Sequence, residues 1–217
     1  MSSEAGVFYM EGNTPGAMII QDRFQHLDTR RWRVEAECPD DSAVTVQGAG
    51  LVMDTSAGMT LWLTERLAGA YRIAFRRQVL VEGKANDRLS DFNCFWAAHE
   101  VNGSGLSVRD GVLESYDSLA TWYVGMGGNG NTTTRFRRYD GSVRRPLLGE
   151  WLDEGHLLKA GHDYQVVIEV TADGTGFSVD GERVFHQALA GLPAPGYFGF
   201  RSVWSRQRIT DFSVQAL

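Results

Sequence analysis

Two runs of alternating apolar and polar residues stand out between Tyr116 and Tyr139. From Leu119 to Met126, Ala120, Trp122, Val124 and Met126 fall on one side and Leu119, Thr121, Tyr123 and Gly125 on the other. From Thr132 to Tyr139, Phe136 takes one side, and Thr133, Arg135, Arg137 and Tyr139 take the opposite one. A period of two marks a strand with one buried face. The intervening GGNGN holds residues that tolerate positive φ, so the two runs read as a hairpin. With Trp122 and Phe136 in a core, Tyr123, Arg135, Arg137 and Tyr139 share one exposed surface. No Asp or Glu occurs in the 132–139 run, so its cations need neutralising from elsewhere in the chain or from a ligand.

The same period recurs along the chain. Residues 43–47 and 50–54 read as a hairpin turning at Gly48-Ala49-Gly50. Met59–Leu63 points Leu61 and Leu63 one way and Trp62 the other, onto an open face suited to stacking on a sugar. Tyr71–Leu80 sets Ile73, Phe75 and Val79 against Arg72, Arg76 and Gln78. In Ser90–His99, Phe92, Cys94, Trp96 and Ala98 oppose Asp91, Asn93, Phe95 and His99. A meander follows at 164–171, 176–179 and 182–185, with Asp-Gly turns, and strands at 196–203 and 209–214 close the chain. Ala17–Ile20 is expected to pair with the last of these. Residues 100–115 and the stretch after Tyr139 read as irregular segments draped over the fold. Helical periodicity is nearly absent, which predicts an all-β fold: an antiparallel β-sandwich of roughly a dozen strands. It forms one domain over residues 1–217, with 1–16 as an N-terminal arm.

The 217 residues carry a net charge of −6, which argues against nucleic-acid binding in spite of the local arginines. No run reaches membrane-spanning length, and the first residues lack the pattern of a signal peptide, so a cytoplasmic location is expected. Cys38 and Cys94, without metal-like spacing, read as unpaired thiols. Residues 125–130 match the glycine fingerprint of dinucleotide loops. A period-two run follows them rather than a helix, so they form a turn and imply no cofactor. Asn102 and Asn131 begin glycosylation patterns that count as chance matches in a cytoplasmic protein. His26, His156, His162 and His186 show no ligand spacing, whereas His99 ends a strand and is a candidate base. The paired carboxylates of β-sandwich glucanases are missing. Glu100, Glu114, Asp117 and Glu150 all fall in expected loops.

NDRLSDFNCFWAAHE, YDSLATWYVGMGGNGNTTTRFRRYDG, RRPLL and GYFGFRSV together give the chain a resemblance. It resembles a bacterial family of unknown function in the concanavalin A-like lectin/glucanase superfamily, over residues 20–217. The resemblance implies a concanavalin-like jelly roll, a sugar-binding concave face and a structural calcium ion, for which the sequence offers no ligand set. On such a face Asn93, His99, Tyr123, Arg135, Arg137, Tyr139 and Arg201 gather, and an oligosaccharide is the expected partner. The residue types suit β-elimination at a uronate. Arg135 or Arg137, with Asn93, would hold the carboxylate, while His99, Tyr123 or Tyr139 would move protons. The alternatives are a non-catalytic carbohydrate-binding protein using the same face, or an enzyme on keto glycosides.

Overall fold

The structure, a computed structural model, describes residues 15–217. Two long strands organise it: β4 (Leu51–Leu63) and β13 (Tyr197–Ala216). Both run through two layers, pairing with each other along their length, and bend where the register slips between Val203 and Ser205. Trp204 turns the bend with φ 42°. The first layer sets β2 (Trp32–Ala36) against the later half of β4. The early half of β13 comes next, then β6 (Phe92–Glu100), β7 (Leu119–Gly127), β8 (Thr133–Asp140) and β9 (Leu147–Trp151). The second layer runs from β12 (Glu182–Ala188) through β11 (Gly174–Val179), β10 (Asp163–Val170) and β5 (Tyr71–Val79) to the later half of β13. Beyond that half lie β1 (Met18–Asp22) and the early half of β4, which carries β3 (Ala43–Val46). All pairings are antiparallel. The all-β jelly roll expected from the sequence is the fold observed.

The core fills the space between the layers. Trp96, Val124 and Phe136 from the first meet Ile73, Phe75, Ile168 and Phe177 from the second. Phe136 stacks on Trp96 and Trp122, each at 5.8 Å, and on Phe185 at 5.4 Å. Phe136→Ala is therefore expected to cost about 3–5 kcal/mol, read as a lower denaturant midpoint. Arg77 of β5 is buried in this core. It donates to the Asn93 carbonyl at 2.7 Å and the Arg201 carbonyl at 2.8 Å, with its guanidinium over the Phe92 ring. Burial lowers its pKa to about 10, so it stays protonated near neutrality. This cation fixes the backbone of β6 and β13 directly beneath the surface described below.

Several boundaries differ from expectation. The hairpin strand 50–54 and the strand 59–63 are one strand, and so are 196–203 and 209–214, because each continues through the bend from one layer into the other. Leu147–Trp151, read as irregular, is the edge strand β9. Glu100 and Glu150 consequently lie in strands, not loops. Met18 and Ile20 pair with Gln215 and Val214, as expected for an N-terminal strand. The arm assigned to residues 1–16 falls, but for its last two residues, outside the described region. Cys38 and Cys94 are unpaired.

Candidate functional site

Register places the candidate residues in two rows across the outer face of the first layer. Arg201 of β13 pairs with Asn93 of β6, Asn93 with Gly125 of β7, Gly125 with Arg135 of β8, and Arg135 with Glu150 of β9. The next row runs Phe95, Tyr123, Arg137. Directly paired residues share a face, so these side chains all rise on one side. In the first row Gly125 has no side chain, and this leaves a gap between Asn93 and Arg135. The gap opens into a cleft of about 290 Å³ lined by Asp91, Asn93, Tyr123, Arg135, Arg137 and Tyr139. Leu113 walls one side, with Arg144 and Arg145 on the rim.

Beside the cleft the chain covers its own face. The segment 101–118 lies over an outer aromatic cluster of Trp62, Phe95, Tyr116, Tyr123, Tyr139 and Tyr197. Its anchor is Glu35 of β2, buried beneath it. One Glu35 oxygen accepts from the Trp62 indole at 2.9 Å and the Tyr116 hydroxyl at 2.8 Å. The other accepts the Arg109 backbone N–H at 3.0 Å and faces Arg33 at 3.1 Å. Arg109 holds both oxygens of Glu100, at 2.8 and 3.0 Å. The strap thus covers part of this face and leaves the cleft around Gly125 open.

The parity of Tyr123, Arg135, Arg137 and Tyr139 is as the sequence predicted, and Asn93 joins them, but the surface is not an exposed one: Tyr123 and Tyr139 pack into the outer aromatic cluster and are buried. Three other placements are corrected. Trp62 is 1% exposed, stacked on Phe95 at 5.4 Å, and offers no open platform. Arg201, also 1% exposed, donates to Thr60 Oγ1 and the Gly111 carbonyl, both at 3.0 Å, and lies against the Tyr116 ring. Both are sealed beneath the strap. His99 points the other way. Ala97 takes φ 48° and the register slips between Trp96 and His99, so His99 pairs with Ala120, on the face of Trp122. Its Nδ1 contacts the Ala97 carbonyl at 3.1 Å, and burial lowers its pKa.

Charge in the cleft is partly compensated. Arg135 pairs with Glu150, Arg145 with Asp117 and Glu114, and Arg144 with Asp140. The sequence concealed these partners because they sit on β9, the strap and the last residue of β8. Arg137 differs: among the described residues it has no carboxylate partner, and it donates only to the Arg145 carbonyl at 2.6 Å. The hydroxyls of Tyr123 and Tyr139 have no protein hydrogen bond there either, and their rings are 5.6 Å apart. Burial raises both phenol pKa values, that of Tyr139 to about 12 against the pull of Arg145 and Arg201. Both are neutral donors near pH 7. Among the described residues no group of three or more His, Cys, Asp or Glu could hold a metal ion, so the implied calcium finds no carboxylate-built site. No helix there is long and apolar enough to cross a membrane.

The family described as a domain of unknown function, DUF6250, matches residues 53–212. The chain belongs to the DUF6250 family. The match spans β4 to β13, so it includes every residue of the cleft. No curated protein matches this DUF6250 chain. Among solved structures, a Bacillus subtilis protein of unknown function with a galectin-like fold is 15% identical, with TM-score 0.75, covering 93% of this chain and 97% of that one. The carbohydrate recognition domain of Emp46p in its metal-free form is 10% identical, with TM-score 0.62 and coverage of 94% and 95%. The carbohydrate binding module CBM66 from Bacillus subtilis is 9% identical, with TM-score 0.57 and coverage of 86% and 96%. At these identities the DUF6250 domain shares their fold.

Proposed function

We propose that the cleft over Gly125 binds an acidic sugar unit of an oligosaccharide, with Arg137 receiving the carboxylate. The observation that carries this reading is Arg137 itself, a cation facing the cleft with no carboxylate partner among the described residues. Arginine suits a planar carboxylate because its donors form a matching fork. Arg135 adds positive potential from the next row, and the two free phenols supply donors for ring oxygens and hydroxyls. Structural neighbours whose names record carbohydrate recognition support the ligand class.

Titration with uronate-containing oligosaccharides, followed by calorimetry, tests the reading. A charged hydrogen bond contributes about 1.5–3 kcal/mol, so Arg137→Met is expected to weaken binding roughly tenfold to a hundredfold. Neutral oligosaccharides should be little affected. Equal affinity in the variant, or no uronate binding by the parent protein, rejects the proposal.

Elimination at the uronate is the second reading, favoured by the two unpartnered phenols beside the arginines. One neutral phenol could protonate a leaving oxygen. The other would have to give up its proton to act as the base, which burial opposes, and His99 lies on the opposite face. Binding is therefore placed first. Elimination predicts new ultraviolet absorbance from the unsaturated product, abolished by Arg135→Ala. Binding without that absorbance removes the second reading alone.

A further inference from the structure

The floor of the cleft carries a second, unlike demand. Asn93 is 1% exposed, and among the described residues its Oδ1 has no hydrogen-bond partner. Its Nδ2 faces Asp91 Oδ1 at 3.4 Å. That contact fixes the amide, since a flip would set the Asn93 oxygen against the carboxylate. Oδ1 is therefore a committed acceptor. A Cβ built on Gly125 would lie 3.4 Å from this oxygen and 3.4 Å from the Tyr123 hydroxyl. The empty place above Gly125 is thus flanked by a buried acceptor and a free phenol. Buried polar groups are normally satisfied, so one left over in a cleft points to what enters it.

We infer that the gap over Gly125 is a hydroxyl subsite, selecting acidic sugars with a free ring hydroxyl over other carboxylates; this rests on the reading of Arg137 as the carboxylate-binding residue. A hydroxyl is the group that meets both neighbours at once, donating to Asn93 Oδ1 and accepting from the Tyr123 hydroxyl. A carboxylate placed there would face the Asn93 oxygen and Asp91, and a methyl group would leave both polar atoms unpaired. The cleft therefore has a direction. Arg137 and Arg135 form the anion end, and Asp91, Asn93 and Tyr123 form the hydroxyl end. Strands lie roughly 4.8 Å apart, so Asn93 on β6 and Arg135 on β8 are separated by about 10 Å at the backbone, with the gap over Gly125 on β7 about 5 Å from either.

The test compares D-glucuronate and D-galacturonate with cyclohexanecarboxylate, which has a six-membered ring and a carboxylate but no hydroxyl. The better uronate is expected to bind the parent protein at least about tenfold more tightly than cyclohexanecarboxylate. Asn93→Leu and Tyr123→Phe should each erase most of that difference, with a thermal melt of each variant showing the fold to be intact. Tyr123→Phe keeps the ring packing and carries the test if Asn93→Leu fails to fold. If the parent protein binds both compounds equally, or if neither variant narrows the gap, the hydroxyl subsite is overturned while the anion site stands. If the parent protein binds no carboxylate, both readings fall.

Discussion

Gly125→Val is expected to weaken sugar binding roughly fivefold to a hundredfold while leaving the fold in place. Gly125 has ordinary strand geometry, so the backbone accepts a side chain, and a β-branched residue suits a strand. Its added Cβ would sit 3.2 Å from the Tyr123 ring and 3.4 Å from Asn93 Oδ1. The valine methyls would extend beyond that point into the gap and fill the place assigned to a ligand hydroxyl. Excluding the ligand hydroxyl forfeits two hydrogen bonds worth about 0.5–1.5 kcal/mol each, which corresponds to roughly fivefold to a hundredfold in affinity. Gly125→Ala should give a smaller loss, because only the Cβ is added. Calorimetric titration and a thermal melt on the same samples decide the matter. Unchanged affinity in the valine variant would show that the ligand does not use the gap.

Glu35→Gln is expected to lower the stability of the domain and loosen the strap. The carboxylate accepts from Trp62, Tyr116 and Arg109 N–H and faces Arg33, all of them donors. An amide has one accepting oxygen, so its nitrogen would meet donors and leave two of them unpaired. Each orphaned buried donor costs about 1–3 kcal/mol, giving roughly 2–6 kcal/mol in all. A melting temperature lower by roughly 4–24 °C follows for a domain of this size. The strap would loosen first, because Tyr116 and Arg109 belong to it. Glu65→Gln is the control. Its partner Arg31 is about one-third exposed, and a pair of that kind contributes about 1 kcal/mol or less. Equal melting of the Glu35 variant and the parent protein would contradict the anchoring role.

The part of the site legible in the sequence was the part fixed by strand parity. Tyr123 and Arg137 fall on the same face because the hairpin 119–139 has no bulge between its paired residues, so alternation carries through. His99 was misplaced because the bulge at Ala97 lacks the glycine that usually signals one. The left-handed turn at Ala97 is packed against Gly196, whose missing side chain lets it lie against the Ala97 carbonyl. That approach is between residues far apart in the chain. Trp62 and Arg201 were assigned the correct face but the wrong environment. Their burial depends on the strap docking onto Glu35 and on Gly111, with φ +88°, pressing against Ala36. Local pattern has no means of reporting a loop that folds back onto a strand. The neutralising partners of Arg135 and Arg145 were hidden for the same reason.

The most direct test follows the arginine Nε–Hε signals in nitrogen-edited spectra during titration with a uronate oligosaccharide. The account predicts that the Arg137 signal shifts and saturates with the binding curve, while Arg72 and Arg206, paired elsewhere to Glu169 and Asp87, stay in place. Saturable binding that leaves the Arg137 signal unmoved would contradict it.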